Sequence, residues 1–382
     1  MDDQPLSRTR SRPTRWPWIW SWLTSVTCLL VLLAVWWRVY SAPPPRYPGE
    51  TVLTTDDQAG EFLRAHVPRP SAGEEASMYI PTGVFIQSAQ FKGPYTVQVA
   101  GYIWQRYPDG LPHDLKRGVV LPEAEQSTFH EVYRTHQAHE ELIGWSFRAT
   151  LREQFDYDRY PLDRQQLWLR MWHVAFERNA YLEPDLSAFP SADPAALPGL
   201  DHNFVLENWQ VQESYFSYRM NRYSTNFGIR DYDATEPQPE LYFTVGLRRS
   251  LLRPLIARLL APLVILVQLF VLVMVIGSDR ERLELFDVKP GAVIFTCAAF
   301  FFGVLLAQNA LREEVQSYGL VYLESVHILA YFVILGVALN SVLLVARPNA
   351  LIFREYDNLW AEVAYWPTIL LSLAAVTLLV FR

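Results

Sequence analysis

The sequence predicts a β-rich domain that follows one apolar helix and precedes four membrane-spanning helices. Long apolar stretches lie towards both ends of the chain, and the polar stretch between them, Ser41–Arg258, contains runs with the period of two that strands require. The composition agrees, because 51% of the 382 residues are hydrophobic and only 19% are charged. A soluble domain carries about 25% charged residues.

The same composition excludes several other classes of protein. Aromatic and aliphatic residues are too frequent for intrinsic disorder. Cys28 and Cys297 both lie inside apolar runs, which excludes a fold held together by disulfides. The net charge of −7 argues against a nucleic-acid-binding protein, so no nucleic-acid partner is expected.

A membrane span needs roughly 20 mostly apolar residues, and five stretches meet that requirement. These stretches are Trp16–Trp37, Leu259–Gly277, Pro290–Leu311, Val315–Ala346 and Val363–Phe381. We therefore expect a basic tail over 1–15, an N-terminal helix over 16–40, an exported domain over 41–250 and a helical domain over 251–382. The spans of the helical domain are expected near 255–277, 290–311, 319–346 and 363–381.

Basic residues predict the orientation of the chain in the membrane. Arg8, Arg10, Arg12 and Arg15 precede the first span, so the N-terminus is expected in the cytoplasm. The large domain and the C-terminus are then outside the cytoplasm. The first span is either a retained anchor or a signal peptide that is cleaved after Val39-Tyr40-Ser41.

The exported domain is expected to be a β-sandwich of the immunoglobulin-like kind, because many short strand patterns follow one another without intervening helices. In two of these runs apolar residues occupy every second position. They are Leu167, Leu169 and Met171 in one run, and Leu241, Phe243, Val245 and Leu247 in the other. Two helical exceptions are expected, at Asp56–His66 and at Glu123–His139.

The most informative segment is Tyr160-Pro161-Leu162-Asp163-Arg164-Gln165, which precedes the strand pattern at Gln166–Trp172. Pro161 favours a turn, Tyr160 can anchor it, and Asp163 can bind loop amides or a cation. An ordinary hairpin with a capped strand explains the same residues. The segment also resembles the aromatic-Pro-x-Asp-x-Gln motif of pentameric ligand-gated ion channels, the Cys-loop receptor-like family. The bracketing cysteines are absent, as in the bacterial members.

Other parts of the sequence also resemble this family. Four apolar segments follow the β-rich domain, Pro262 lies early in the first of them, and Trp209 resembles a tryptophan that opens the family's ninth strand. The resemblance implies a homopentameric channel opened by a small molecule or by protons, in the inner membrane of a bacterium, with lipid and permeant ions as its other partners. The sequence departs from the family in its N-terminal span, in the long loop 278–289 and in the lack of the usual Ser/Thr ring in the cytoplasmic half of the second channel helix.

The resemblance also implies which residues line the pore. The second channel helix of the family corresponds to Pro290–Leu311, and one stripe along it is expected to face the axis. That stripe is Gly291, Phe295, Ala298, Phe302, Leu305 and Asn309. Asp287 would form an acidic ring that favours cations, and Phe302 with Leu305 would form a dewetting gate. The alternatives are a helix surrounded by lipid and an Asp287 that belongs only to a charged loop.

Coupling and ligand sites follow from the same resemblance. Tyr160, Pro161, Leu162 and Asp163 are expected to contact the loop Leu311–Tyr318, and Asp163 is expected to pair with Arg248 or Arg249. A purely stabilising pair is the alternative. The ligand-binding candidates are Trp172, Phe176, Phe227 and Tyr232; these aromatic rings would suit a cation, or would only pack on their own domain. The pH-sensing candidates are Glu324 and His327, although Glu324 lies near the outer end of its helix and could simply reach water.

Two other classes of function stay open. One is a non-conducting envelope receptor that has the same sensor domain. The other is a membrane-anchored enzyme, which is disfavoured because no catalytic motif is present. The segment His136-Gln137-Ala138-His139-Glu140 lacks the His-Glu-x-x-His spacing of a metalloprotease and is expected to be a solvated helix face. No cofactor or metal site is expected.

Overall fold

A computed structural model describes residues 15–67, 76–137, 139–229, 236–276, 290–315, 319–346 and 358–382. Contacts divide the chain into two compact units. The first, here called the helical unit, consists of Met1–Ala42, Tyr157–Leu162 and Leu251–Arg382. The second, the β unit, consists of Pro43–Asp156 and Asp163–Ser250.

The β unit contains two five-stranded sheets. In spatial order, the first sheet is β1 (Thr51–Leu53), β9 (Trp209–Asn221), β10 (Gln238–Arg249), β7 (Arg164–His173) and β4 (Val119–Val120). The second is β5 (Ala124–Gln137), β6 (Glu140–Arg152), β3 (Thr96–Pro108), β2 (Met78–Gly93) and β8 (Ala180–Pro184). Neighbouring strands are antiparallel except β2 and β8, which are parallel.

The period-two pattern of β7 and β10 is matched by their register. Leu241 lies opposite Met171 and Val245 lies opposite Leu167, so the apolar side chains of both strands occupy the same face of the sheet. Leu167, Met171 and Val245 are all buried. A β-rich domain followed by apolar helices is therefore confirmed.

The opposite face of this sheet is also buried, which the alternating pattern does not predict. The chain segment 43–50, here called the strap, lies across it. The Glu50 carboxylate accepts hydrogen bonds from Ser217 Oγ at 2.6 Å and Arg219 Nη2 at 3.0 Å, and the Arg219 guanidinium lies 4.3 Å from the centre of the Tyr47 ring. The strap thus buries a polar face that would otherwise meet water.

The two helical exceptions have different outcomes. The helix α2 forms at Asp56–His66 as predicted, and the Thr55 side chain caps it by accepting a hydrogen bond from Gln58 N at 3.3 Å. The predicted helix at Glu123–His139 is wrong, because Ala124–Gln137 forms strand β5. This strand lies at the edge of its sheet with mostly exposed side chains, so its sequence lacks the alternation of a half-buried strand.

The described part of the helical unit contains five helices that are long and apolar enough to span a membrane. They are α1 (Trp16–Ser41), α3 (Leu252–Val275), α4 (Pro290–Val315), α5 (Glu324–Ala346) and α6 (Leu359–Val380). Buried apolar side chains from α3 to α6 form a common core, which includes Leu269, Val304, Ala330 and Ile369. By length and composition, these helices belong to a membrane protein.

Helix α1 packs along α6. Ser21 Oγ donates to Val363 O at 2.6 Å near the start of both helices, and Cys28 and Leu32 pack against Ala374 further along. The two helices therefore run in the same direction. Near the end of α1, Trp36 Nε1 donates to the Tyr322 hydroxyl at 2.8 Å.

Candidate functional site

The Tyr160–Gln165 motif is divided between the two units. Tyr157–Leu162, here called the motif loop, belongs to the helical unit, whereas Asp163 and the residues after it belong to the β unit. Two backbone hydrogen bonds fold the loop tightly: Tyr160 N donates to Tyr157 O at 2.9 Å, and Leu162 N donates to Arg159 O at 2.8 Å. The Tyr160-Pro161 peptide bond is cis.

Tyr160 connects the motif loop to the end of α4. Its ring is buried, and its hydroxyl donates to Glu314 Oε1 at 3.2 Å. The other oxygen of Glu314 accepts from Arg258 on α3, with Nε at 2.9 Å and Nη2 at 2.5 Å. One carboxylate therefore joins the motif loop, α3 and α4.

A second contact fastens the motif loop to the segment before α5. Tyr322 N donates to the backbone oxygen of Asp158 at 2.8 Å. The expected contact region was Leu311–Tyr318; Glu314 lies inside it, and residues 316–318 lie outside the described residues. Pro161 and Leu162, which also belong to the motif loop, are buried.

Asp163 forms a buried ion pair with Arg249, the last residue of β10. Arg249 Nε donates to Oδ1 at 2.6 Å and Nη2 donates to Oδ2 at 2.8 Å, so the pair is bidentate. Gln165 Nε2 also donates to Oδ2, at 3.0 Å. The guanidinium lies 4.1 Å from the centre of the Trp209 ring, which adds a cation–π contact.

The sequence named two arginines for this pair, and the alternation of the strand distinguishes them. Arg249 continues the buried face of Leu241, Val245 and Leu247, whereas Arg248 points to the other face and donates to Gln210 Oε1 at 2.8 Å. The period of two in β10 was therefore the signal that selects Arg249.

Three of the four ligand-binding candidates form an aromatic cluster. The ring centres of Trp172, Phe176 and Phe227 are 5.4 to 5.8 Å apart. Tyr232 lies outside the described residues. Sequence reasoning missed Tyr223, whose ring centre is 5.3 Å from that of Phe227 and 5.5 Å from that of Trp172. Its position directly after β9, at the base of the same loop, was the available signal.

Charged groups lie against this cluster. Arg170 Nη1 donates to the Tyr223 hydroxyl at 2.9 Å and contacts Glu240 Oε2 at 3.4 Å, and the Tyr223 hydroxyl also donates to Glu240. Burial raises the pKa of Glu240, while Tyr223 and Arg170 oppose that rise. The adjoining cavity measures about 40 Å³. That volume holds a water molecule rather than an organic ligand, so a single chain does not enclose a ligand at this aromatic cluster.

Helix α4 has two distinct faces. Its buried stripe includes Val293, Cys297, Val304 and Leu311. The predicted pore-lining residues lie about 140° around the helix from that stripe, at 100° per residue. Of these, Gly291, Phe295, Ala298, Phe302 and Asn309 are exposed and Leu305 is half-buried. Asp287 lies outside the described residues.

The two phenylalanines at the middle of α4 have different surroundings. Phe302 is 62% exposed. Phe301 is 40% exposed, and its ring packs on that of Tyr331 of α5 with ring centres 5.1 Å apart as well as on that of Phe302 at 5.9 Å. The face that holds Phe302 therefore meets something other than the described helices of its own chain, which lipid or a second copy would supply.

The two pH-sensing candidates on α5 are both buried. Glu324 does not reach water as the alternative interpretation expected, because its carboxylate pairs with Arg312 and accepts a hydrogen bond from Val321 N at 3.2 Å. His327 Nδ1 lies 3.2 Å from Leu323 O, and its Nε2 has no hydrogen-bond partner among the described residues.

No protein-family model matches this sequence, and no curated protein matches it significantly.

Proposed function

We propose that this protein is a homopentameric, cation-selective ion channel that a small molecule or protons open from outside the cytoplasm. The observation that carries the proposal is the division of the Tyr160–Gln165 motif. Tyr160 is fastened to Glu314 in the helical unit, and Asp163, three residues later, is fastened to Arg249 in the β unit. Arg249 itself lies just before α3. A displacement in the β unit would thus reach the helices through two short stretches of chain.

In this proposal the two sheets form a β-sandwich sensor domain, and α3 to α6 form a four-helix transmembrane channel domain. Helix α4 lines the pore, with Phe302 and Leu305 as an apolar gate that dewets in the closed state. Asp287 forms the acidic ring at the cytoplasmic mouth. The exposed, apolar side of α4 supports this assignment, because a pore-lining face must be free of contacts within its own chain.

The aromatic cluster of Trp172, Phe176, Tyr223 and Phe227 supplies one wall of the ligand site, and Tyr232 is a further candidate. A neighbouring copy would supply the other wall, which agrees with the small cavity in a single chain. The ring faces give this wall the character that binds a cation, whereas the Glu240 carboxylate is already paired with Arg170.

The proposed location is a bacterial inner membrane, with the N-terminus in the cytoplasm and the β unit outside it. The parallel packing of α1 and α6 supports five crossings, because the first and fifth spans of an alternating chain cross in the same direction. It also favours a retained α1 over a cleaved signal peptide, since α1 contacts α6 along much of its length.

The second candidate is a non-conducting receptor with the same sensor domain. The side of α4 that carries Phe295, Ala298 and Phe302 lacks hydroxyl groups, which favours this alternative. Recordings from the purified protein in planar bilayers decide between them. Cation currents that are evoked by acid steps or by a ligand panel support the channel. Silence in every condition from a protein that still binds a ligand supports the receptor.

A further inference from the structure

The β unit contains a buried carboxyl group that the coupling and ligand sites do not use. Glu153 lies four residues before the motif loop, and its side chain is buried. One carboxylate oxygen accepts a hydrogen bond from Trp168 N at 3.3 Å. The other, Oε1, is buried and has no hydrogen-bond partner among the residues that the structure describes. A buried, unbonded carboxylate oxygen is costly when the group is ionised.

The charges around Glu153 do not neutralise it. Glu123, just before β5, is a like charge that acts on it, and Arg219 on β9 is the opposing one. Arg219 is already paired with Glu50 at 3.0 Å. Arg170 on β7 is shared between Glu123 and Glu240. The arginine that acts on Glu153, Arg219, and the arginine that pairs with Glu123, Arg170, are therefore both committed to carboxylates other than that of Glu153.

Glu123 also has one carboxylate oxygen that is buried and accepts no hydrogen bond from the described residues. Its Oε1 pairs with Arg170, whereas its Oε2 is buried and has no hydrogen-bond partner among the described residues. Burial and the charge of Glu123 both raise the pKa of Glu153, and burial is the larger cause. A proton on Glu153 would remove one of the two like charges and turn an unbonded acceptor into a donor.

We propose that Glu153 and Glu123 together form a proton-binding site of the β unit, in which Glu153 holds the proton and Glu123 tunes its affinity. This site does not depend on ion conduction, so it goes beyond the proposed channel function and is testable without it.

Arg170 links this site to the aromatic cluster. It contacts Glu123 on one side and the Tyr223 hydroxyl and Glu240 on the other, with its guanidinium 5.6 Å from the centre of the Trp172 ring. Loss of the proton makes the Glu123–Glu153 side more negative and draws Arg170 towards it. The contacts of Arg170 with Tyr223 and Glu240 then weaken, so proton release alters the wall of the ligand site.

The sign of the stability effect follows from the raised pKa. Between the ordinary pKa of a glutamate and the raised pKa of Glu153, the folded protein holds a proton that the unfolded chain has lost. The unfolding equilibrium therefore moves towards the unfolded state as pH rises through this window, up to tenfold for each pH unit. Glu153→Gln removes this dependence, because an amide does not titrate.

The experiment is infrared difference spectroscopy of the full chain in lipid nanodiscs, scanned from about pH 4 to about pH 9. At about pH 6, exposed glutamates with a pKa near 4.3 are ionised. The wild-type protein should still show the C=O stretch of a protonated carboxyl group. Glu153→Gln should lose the part of that band that Glu153 contributes; burial also raises the pKa of Glu183, Glu213 and Glu240, so the variant should weaken the band rather than abolish it. Glu125→Gln is the matched control, because Glu125 is exposed and pairs with Arg152 at 3.4 Å, and it should keep the band.

Glu123→Gln is the second variant and keeps the test decisive if Glu153→Gln fails to fold. It should retain the band with a titration midpoint at lower pH, since a like charge is gone. A wild-type protein without the band at about pH 6 would overturn the proposal, and so would a band of undiminished intensity in Glu153→Gln. An unchanged midpoint in Glu123→Gln would overturn the assigned role of Glu123.

Discussion

The buried pair of Asp163 and Arg249 gives the most direct test of coupling. In Asp163→Asn the amide keeps the shape of the side chain, but it loses the charge and one of the two hydrogen bonds to Arg249. Arg249 then stays buried without the negative charge of Asp163. Breaking a buried pair in this way costs about 3–5 kcal/mol, and the lower end applies here because the amide oxygen still accepts one hydrogen bond.

The free-energy cost of breaking the pair shifts the equilibrium between closed and open channel only to the extent that it differs between the two states. If half of about 3 kcal/mol falls on that difference, the open-to-closed ratio changes about tenfold. We expect the half-maximal agonist or proton concentration of Asp163→Asn to rise by about that factor, in recordings from oocytes that express the channel at the surface.

Two variants control this result. Arg248→Gln changes the neighbouring arginine, which points to the other face and donates to Gln210, so its response should stay close to wild type. Asp163→Asn combined with Arg249→Gln should be less impaired than the sum of the single changes, because the uncompensated charge is gone. A wild-type response in Asp163→Asn, or strictly additive effects, would refute the coupling role.

Three further predictions concern residues of the helical unit. Phe302→Ser should raise spontaneous current because it hydrates the gate. Phe301→Ser, on the side of α4 that packs on α5, should cause little leak. Equal leak from both variants would reject the assignment of Phe302 to the pore-lining face. Asp287→Asn should reduce cation preference in reversal-potential measurements, and an unchanged reversal potential would return Asp287 to a loop role. Tyr160→Phe should weaken activation by up to about tenfold through loss of its hydrogen bond to Glu314, about 1–1.5 kcal/mol; unchanged activation would mean that this bond does not contribute to gating.

The sequence predicted the parts of the fold that hydrophobic pattern controls. The five apolar helices and the strands β7 and β10 were found because burial on one face, or on all faces, leaves a period in the sequence. Strand β5 was missed because an exposed edge strand imposes no such period. The strap was missed for a different reason: its contacts with Arg219 and Ser217 are specific polar contacts between distant segments, which composition does not encode.

In the candidate site, too, features that leave a local sequence pattern were predicted and contacts between distant segments were not. The positions of Asp163 and Tyr160 were anticipated from a local motif, and strand alternation could have selected Arg249 over Arg248. The resemblance anticipated the region that Tyr160 contacts, Leu311–Tyr318, but not Glu314 itself, because a hydrogen bond over so long a separation in sequence leaves no local pattern. Glu153 was also missed, since a single glutamate between two strands looks solvated until the fold buries it.

The symmetry of the purified particle tests the central claim most directly. Class averages from electron micrographs of the full-length protein, viewed along the membrane normal, should show five-fold symmetry. Five copies are what allow the exposed face of α4 to surround a single axis and the aromatic cluster to meet a neighbouring chain. A particle with any other symmetry, or a monomer that stays monodisperse across detergents, would contradict the account.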